Sequence, residues 1–137
     1  GHGVCDYANG DHYEGQWNAD KRAGFGLCQY VTGDKYEGEW VGDRPSGHGV
    51  QEDSSTRWGI GRRNIGGDRY EGMFAAGAKQ GPGTVAFASG DRFKGDMKKD
   101  NMNGGGSILF DNGDRFVGGM AKGGMNSGTY MRNPTLA

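Results

Sequence analysis

The sequence holds only two cysteines, three prolines and no surplus of either charge, and each shortage removes a class of protein. Two Cys without a secretory leader pattern do not make a disulfide scaffold. Three Pro exclude a collagen-like chain, in which Gly recurs at every third position beside abundant Pro. The 16 basic and 17 acidic side chains are spread along the whole length, and the net charge is −1. No long-range field would draw such a chain onto nucleic acid, which is not expected as a partner. No run approaches the roughly 18 apolar residues of a membrane helix. A soluble, intracellular protein is the expectation.

What abounds is glycine, 30 of 137 residues, beside 6 Tyr, 6 Phe and 3 Trp. Glycine orders at a large entropic cost and brings no side chain to bury, which rules out an ordinary close-packed globule unless something periodic compensates. Aromatic rings, the largest apolar surfaces available, would do so if grouped.

A period is present. The string Gly-Asp-x-aromatic-x-Gly-x-bulky occurs five times: Gly10 to Trp17, Gly33 to Trp40, Gly67 to Phe74, Gly90 to Met97 and Gly113 to Met120. The starts at 10, 33, 67, 90 and 113 lie 23 apart, except for one gap of 34, which is 23 plus an insertion of 11. A Gly-x-Gly begins 14 residues after each start, as Gly24 and Gly26, Gly47 and Gly49, Gly81 and Gly83, Gly104 and Gly106. The fifth copy degenerates to Ser127, Gly128, Thr129, as the ends of repeat stacks do. Gly1 and Gly3 fit the close of a preceding copy, so the chain opens in mid-repeat and is expected to be cut from a longer one at its beginning more readily than at its end. The division is an array over 1–132, with a half repeat at 1–9 and an insertion at about 51–66, then a tail at 133–137.

Within each copy the apolar residues alternate with period 2, as in Cys5, Tyr7 and then Tyr13, Gly15, Trp17, while His12, Glu14 and Gln16 fall on the other face. Two strands with one apolar face are implied. Asn9-Gly10, Thr32-Gly33, Gly66-Gly67, Ser89-Gly90 and Asn112-Gly113 suit two-residue turns with positive φ, and the six residues Asn18 to Ala23 would carry the chain onward. The central Gly of each apolar triplet leaves a gap over which a neighbouring hairpin's ring can lie. Two strands per repeat at about 4.8 Å each make roughly 50 Å for five repeats.

Tyr36-Glu37-Gly38-Glu39-Trp40 followed by Gly47-His48-Gly49 resembles the MORN repeat, and the likeness runs through nearly the whole chain. The resemblance implies an all-β fold, a single-layer, elongated, twisted antiparallel sheet of tandem hairpins. It also implies a non-catalytic scaffold in a cytoskeletal, ciliary or other large assembly, holding a protein partner's segment in an aromatic-lined groove. By matching column that groove would draw on Tyr13, Trp17, Tyr36, Trp40, Tyr70 and Phe74. Repeats four and five depart from the pattern with Phe93, Met97, Phe116 and Met120, so the N-terminal half is the better partner surface.

The insertion carries Arg57, Trp58, Ile60, Arg62 and Arg63 without repeating. Its functional reading is a docking element, led by Arg57, Trp58, Arg62 and Arg63, since Trp and Arg anchor interfaces; its plain reading is a longer hairpin or a flexible excursion. Cys5 and Cys28 share a column with Val85 and Ile108 and are expected to be buried apolar residues, neither metal ligands nor a disulfide. His2 and His48 fill a position that accepts almost anything. The column Asp11, Asp34, Asp68, Asp91, Asp114 is read as bonding the turn backbone in preference to calcium. Every candidate nucleophile or base belongs to a repeated column or an exposed loop, and Gly59-Ile60-Gly61 lacks the strand and helix of a nucleotide loop. No catalytic residue, cofactor or metal is expected. Rival readings are weak binding of anionic lipid through Arg92, Lys94, Lys98 and Lys99, and a regulatory segment of a larger enzyme. Open edge strands also permit a homo-oligomer.

Overall fold

The structure, a computed structural model, describes residues 1–53, 67–121 and 124–134. Where apolar residues alternate with polar ones the chain is extended, and eleven strands result among the described residues: β1 His2–Asp6, β2 His12–Asn18, β3 Lys21–Gln29, β4 Lys35–Val41, β5 Arg44–Glu52, β6 Arg69–Ala75, β7 Ala78–Ala86, β8 Arg92–Lys98, β9 Asn101–Leu109, β10 Arg115–Ala121 and β11 Gly124–Met131. They form one antiparallel sheet in chain order, β1 to β11, each strand hydrogen-bonded to its sequence neighbours. The all-β, single-sheet fold expected from the repeat is what the chain adopts.

The turns exchange the roles expected of them. The Gly-Asp turns are three-residue loops: Gly10 N–H donates to Tyr7 O at 2.9 Å and Tyr7 N–H to Asp11 O at 2.8 Å. Gly10, at a φ of 103°, supplies the left-handed residue that such a loop needs. The residues expected to carry the chain onward are instead the tighter hairpins. Asn18 pairs with Lys21, leaving Ala19 and Asp20 alone in the turn at φ of 51° and 64°. Two consecutive positive φ values define the mirror-image turn that matches strand twist. Sequence reasoning missed it because it looked for glycine, and here an Ala and an Asp hold the left-handed conformation.

Burial explains the glycines. Gly15 pairs with Gly26 across β2 and β3, and a Cβ on Gly26 would run into the Tyr13 ring. Gly49 stands in the same relation to Tyr36, and Gly83 to Tyr70, so the ring of one hairpin does lie over the glycine of the next. Between this pair and the bulky residue the register shifts, at Gly15/Trp17, Gly38/Trp40, Gly72/Phe74 and Gly95/Met97. In the last copy the bulge is one residue shorter. Gly118 therefore pairs with Gly128, not with the Thr129 that repeat spacing selects, because the glycine pair, and not the count of residues, fixes the register.

The Asp column bonds to the following repeat as well as to its own turn. Asp11 Oδ1 accepts from Val31 N at 2.8 Å, Asp68 Oδ1 from Ala88 N at 2.9 Å and Asp91 Oδ1 from Asp111 N at 2.8 Å. Carboxylates thereby lace one rim of the sheet turn to turn, with bonds stronger than neutral ones. Asn133, assigned by sequence to the tail, closes the series by donating its N–H to Asp114 Oδ1 at 2.7 Å. That bond, followed by those from Tyr130 and Asn112, holds the Asp114 carboxyl below its ordinary range.

Candidate functional site

Six residues expected to line a partner groove are brought together in one continuous chain of rings. Trp17 meets Tyr13 with centroids 5.0 Å apart, Tyr13 meets Trp40 at 5.4 Å and Trp40 meets Tyr36 at 5.1 Å. Tyr36 meets Phe74 at 4.9 Å and Phe74 meets Tyr70 at 5.2 Å. All five contacts are edge to face, the arrangement that aligns a ring's positive edge with its neighbour's negative face. The insertion does not break the row, because β5 and β6 still pair from Gly47 opposite Phe74 to Glu52 opposite Arg69.

These rings are first of all the core. Tyr13, Tyr36, Trp40, Tyr70 and Phe74 are at most 4% exposed, and only Trp17 is half-buried. The hydroxyls of Tyr13, Tyr36 and Tyr70 turn back to donate to the carbonyls of Gln16, Glu39 and Met73 at 2.8, 2.8 and 2.9 Å. Trp40 Nε1 donates to Gly26 O at 3.1 Å. Burial pushes the Tyr36 phenol well up and that of Tyr30 up to about 12. What this side of the sheet offers to a partner are the half-buried rings: Tyr7, Tyr30, Phe87 and Phe110, packed against the first row, and Trp17 at that row's N-terminal end. Sequence reasoning placed Tyr7, Tyr30, Phe87 and Phe110 on the apolar face but did not separate this open set from the closed row. Both sets recur with one period, but Tyr7, Tyr30, Phe87 and Phe110 stand just before the Gly-Asp turns, whereas the closed row lies within the strands that follow them.

Arg22 was not singled out from the sequence, and its position could not be read there. Its guanidinium carbon lies 4.5 Å from the Trp40 ring centre and 5.4 Å from that of Tyr7. Nε donates to Asp43 Oδ1 at 3.1 Å and Nη2 to Asp43 O at 3.0 Å. Burial, the largest single influence, would lower the Arg22 pKa, but the Asp43 bond and charge together with Tyr7 and Cys28 outweigh it and the net direction is upward. Asp43 moves down, foremost through the Arg22 N–H that donates to it at 2.8 Å.

Cys28 is buried and Cys5 half-buried, both as free thiols. Each pairs with Tyr13 from opposite sides, so two strand spacings, roughly 10 Å, separate them, beyond the reach of a disulfide. Burial raises the Cys28 thiol. Arg92 and Lys94 stand exposed on β8, on the same polar face as Asp96. No group of His, Cys, Asp and Glu able to hold a metal occurs among the described residues, and no described helix is long and apolar enough to cross a membrane. Arg57, Trp58, Ile60, Arg62 and Arg63, and with them Gly59-Ile60-Gly61, lie outside the described residues.

Comparison with known families matches the MORN repeat to residues 1–12, 13–35, 36–55, 70–92 and 93–115. Those segments cover most of the chain. The chain belongs to the MORN-repeat family. MORN repeats are in general modules for contact with proteins or membranes, and the family is in general not enzymatic. The unmatched 56–69 contains most of the insertion, and the match ends at 115 although the MORN sheet continues through β10 and β11. A search of curated proteins found no match.

Proposed function

We propose that this MORN array is a non-catalytic scaffold that holds a protein partner's segment on its ring-bearing side. The observation that carries the reading is the half-buried set of rings Tyr7, Trp17, Tyr30, Phe87 and Phe110. It lies on a sheet that no second layer of described residues covers. The buried Tyr and Trp chain beneath it acts as a stiff foundation, so a bound segment loses little to rearrangement of its receptor. Trp and Tyr, three of these five rings, are enriched among the few residues that carry most of the binding energy at interfaces. A rigid sheet extended by repetition suits a structural subunit of a large assembly, cytoskeletal or ciliary assemblies among them, where distance and orientation matter more than turnover.

A photocrosslinking side chain placed at Trp17 or Tyr30 should trap a protein in the source cells. The same group at Glu14 or Glu37, on the opposite face, should not. Adducts from positions 14 and 37 alone, or adducts with lipid alone at 17 and 30, would overturn the reading.

A further inference from the structure

Arg22 shows what the space between hairpins accepts: a guanidinium laid over rings and bonded to a carboxylate at the rim. In the same register two repeats further on, the residues differ. Lys79 stands for Arg22, Met97 for Trp40 and Val85 for Cys28, while Asp100 keeps the place of Asp43. Asp53 stands for Tyr7, as its N–H bond to Asp68 O, at 2.9 Å, shows by matching that of Tyr7 to Asp11 O. Lys79, Met97 and Asp53 are each shorter or thinner than Arg22, Trp40 and Tyr7, and Val85 is only slightly bulkier than Cys28. A cavity of about 350 Å³ is left.

Tyr70, Val85, Phe87 and Met97 give this cavity an apolar floor, and Asp53, Asp68 and Asp100 bring three carboxylates against the single ammonium of Lys79. Lys79 is itself drawn toward the Tyr70 ring, its Nζ 5.7 Å from the centroid. We propose that the cavity receives an arginine side chain of a protein docking on the array, its guanidinium lying against Tyr70 and Phe87 and meeting Asp53 and Asp100. A planar cation that stacks on rings and bonds carboxylates with a fixed fork uses both features of the site. A neutral apolar side chain would strip water from Asp53, Asp68 and Asp100, which hold one donor each from Gln51, Ala88 and Lys79, and bring no further donor in return. The inference rests on the array being a protein-binding module. Its probe is a small guanidinium compound, so binding at Trp17 and Tyr30 can fail while this site holds, and the reverse.

The probe is N-acetyl-arginine methylamide, titrated into the full chain while the methyl signals of Val85, Met97 and Met102 are followed by NMR. Its neutral isostere, N-acetyl-citrulline methylamide, serves as control. Saturable shifts at those three residues are expected, with affinity about tenfold weaker for the citrulline compound and for the Asp53→Asn, Asp100→Asn double variant, as when a charged bond loses its partner. Equal response to both compounds overturns the proposal, as do shifts confined to other parts of the sheet. Should the double variant fail to fold, the comparison of the two compounds on the unaltered protein decides. If replacing Arg57, Arg62 and Arg63 with Ala shifts the same three methyls before any probe is added, the chain's own arginines occupy the cavity and a partner's do not.

Discussion

Two glycines of the Gly-x-Gly motif, two repeats apart, meet opposite surroundings, and the difference lies in a single ring. A Cβ on Gly49 would fall within 2.5 Å of Tyr36 Cε1, inside a ring held by the Trp40 and Phe74 edges. At Gly105, in the centre of its Gly-x-Gly, a Cβ would meet nothing within 4 Å. That central position is exposed, and it accordingly holds His2, Phe25, His48, Pro82 or Gly105 without effect on the sheet. Gly49→Ala should therefore cost about 2 kcal/mol or more, because the buried Tyr36 ring, held by its neighbours, has no room to give way. Gly105→Ala should stay within about 0.5 kcal/mol of the parent, or gain slightly by restricting the unfolded chain. Urea unfolding midpoints distinguish the two, and equal losses would show that backbone freedom, not space under the ring, sets the glycine pattern.

At the level of strands and turns, the weak points are the mirror-image turns that lack glycine at their first position. Ala76 sits at a φ of 49°, followed by Gly77 at 89°. Alanine pays a steric penalty in that region, which asparagine tolerates, and Asn-Gly is the preferred pair for this turn. Ala76→Asn should raise stability by about 0.5–1 kcal/mol while Gly77 N–H keeps its bond to Pro45 O. A lowered thermal midpoint would mean that the turn is held by something other than its own backbone preference. The same feature shows where the sequence stops being legible. Alternation and Gly-Asp spacing lead to the correct strands and faces because Tyr13, Gly15 and Trp17 can face only one way in an extended chain. The two turn types were interchanged because Ala19 and Asp20 carry no glycine signature. Arg22 was invisible because its partners are scattered along the chain, Tyr7 before β2, Trp40 in β4 and Asp43 in the turn after it, up to 21 residues away.

Over the whole molecule, each strand is hydrogen-bonded only to its sequence neighbours, with rings reaching the next strand but one, so stability is close to a sum over adjacent repeats and need not be lost everywhere at once. The tyrosines make that sum depend on pH. Burial raises the phenols of Tyr13, Tyr30, Tyr36 and Tyr70 above their ordinary value of 10.0. A group with a raised pKa in the folded state stabilises in full below its unfolded pKa near 10, and that contribution disappears as pH climbs through the folded value, about 12 for Tyr30. Tyr13, Tyr36 and Tyr70 hold one core column through the first three repeats, with Tyr30 packed beside it, whereas Phe93 and Phe116 hold that column in the last two and cannot ionise. Alkaline unfolding should thus begin in the N-terminal half, with the side-chain signals of Cys28 and Trp40 lost at lower pH than those of Ile108 and Met120. Tyr36→Phe removes one ionisable core ring together with its bond to Glu39 O, and should move that onset to higher pH even though it lowers stability near neutrality by about 1 kcal/mol. Loss of all four signals at one pH, or of Ile108 first, would show that the array melts as a single unit and that the tyrosine gradient along it does not set the order.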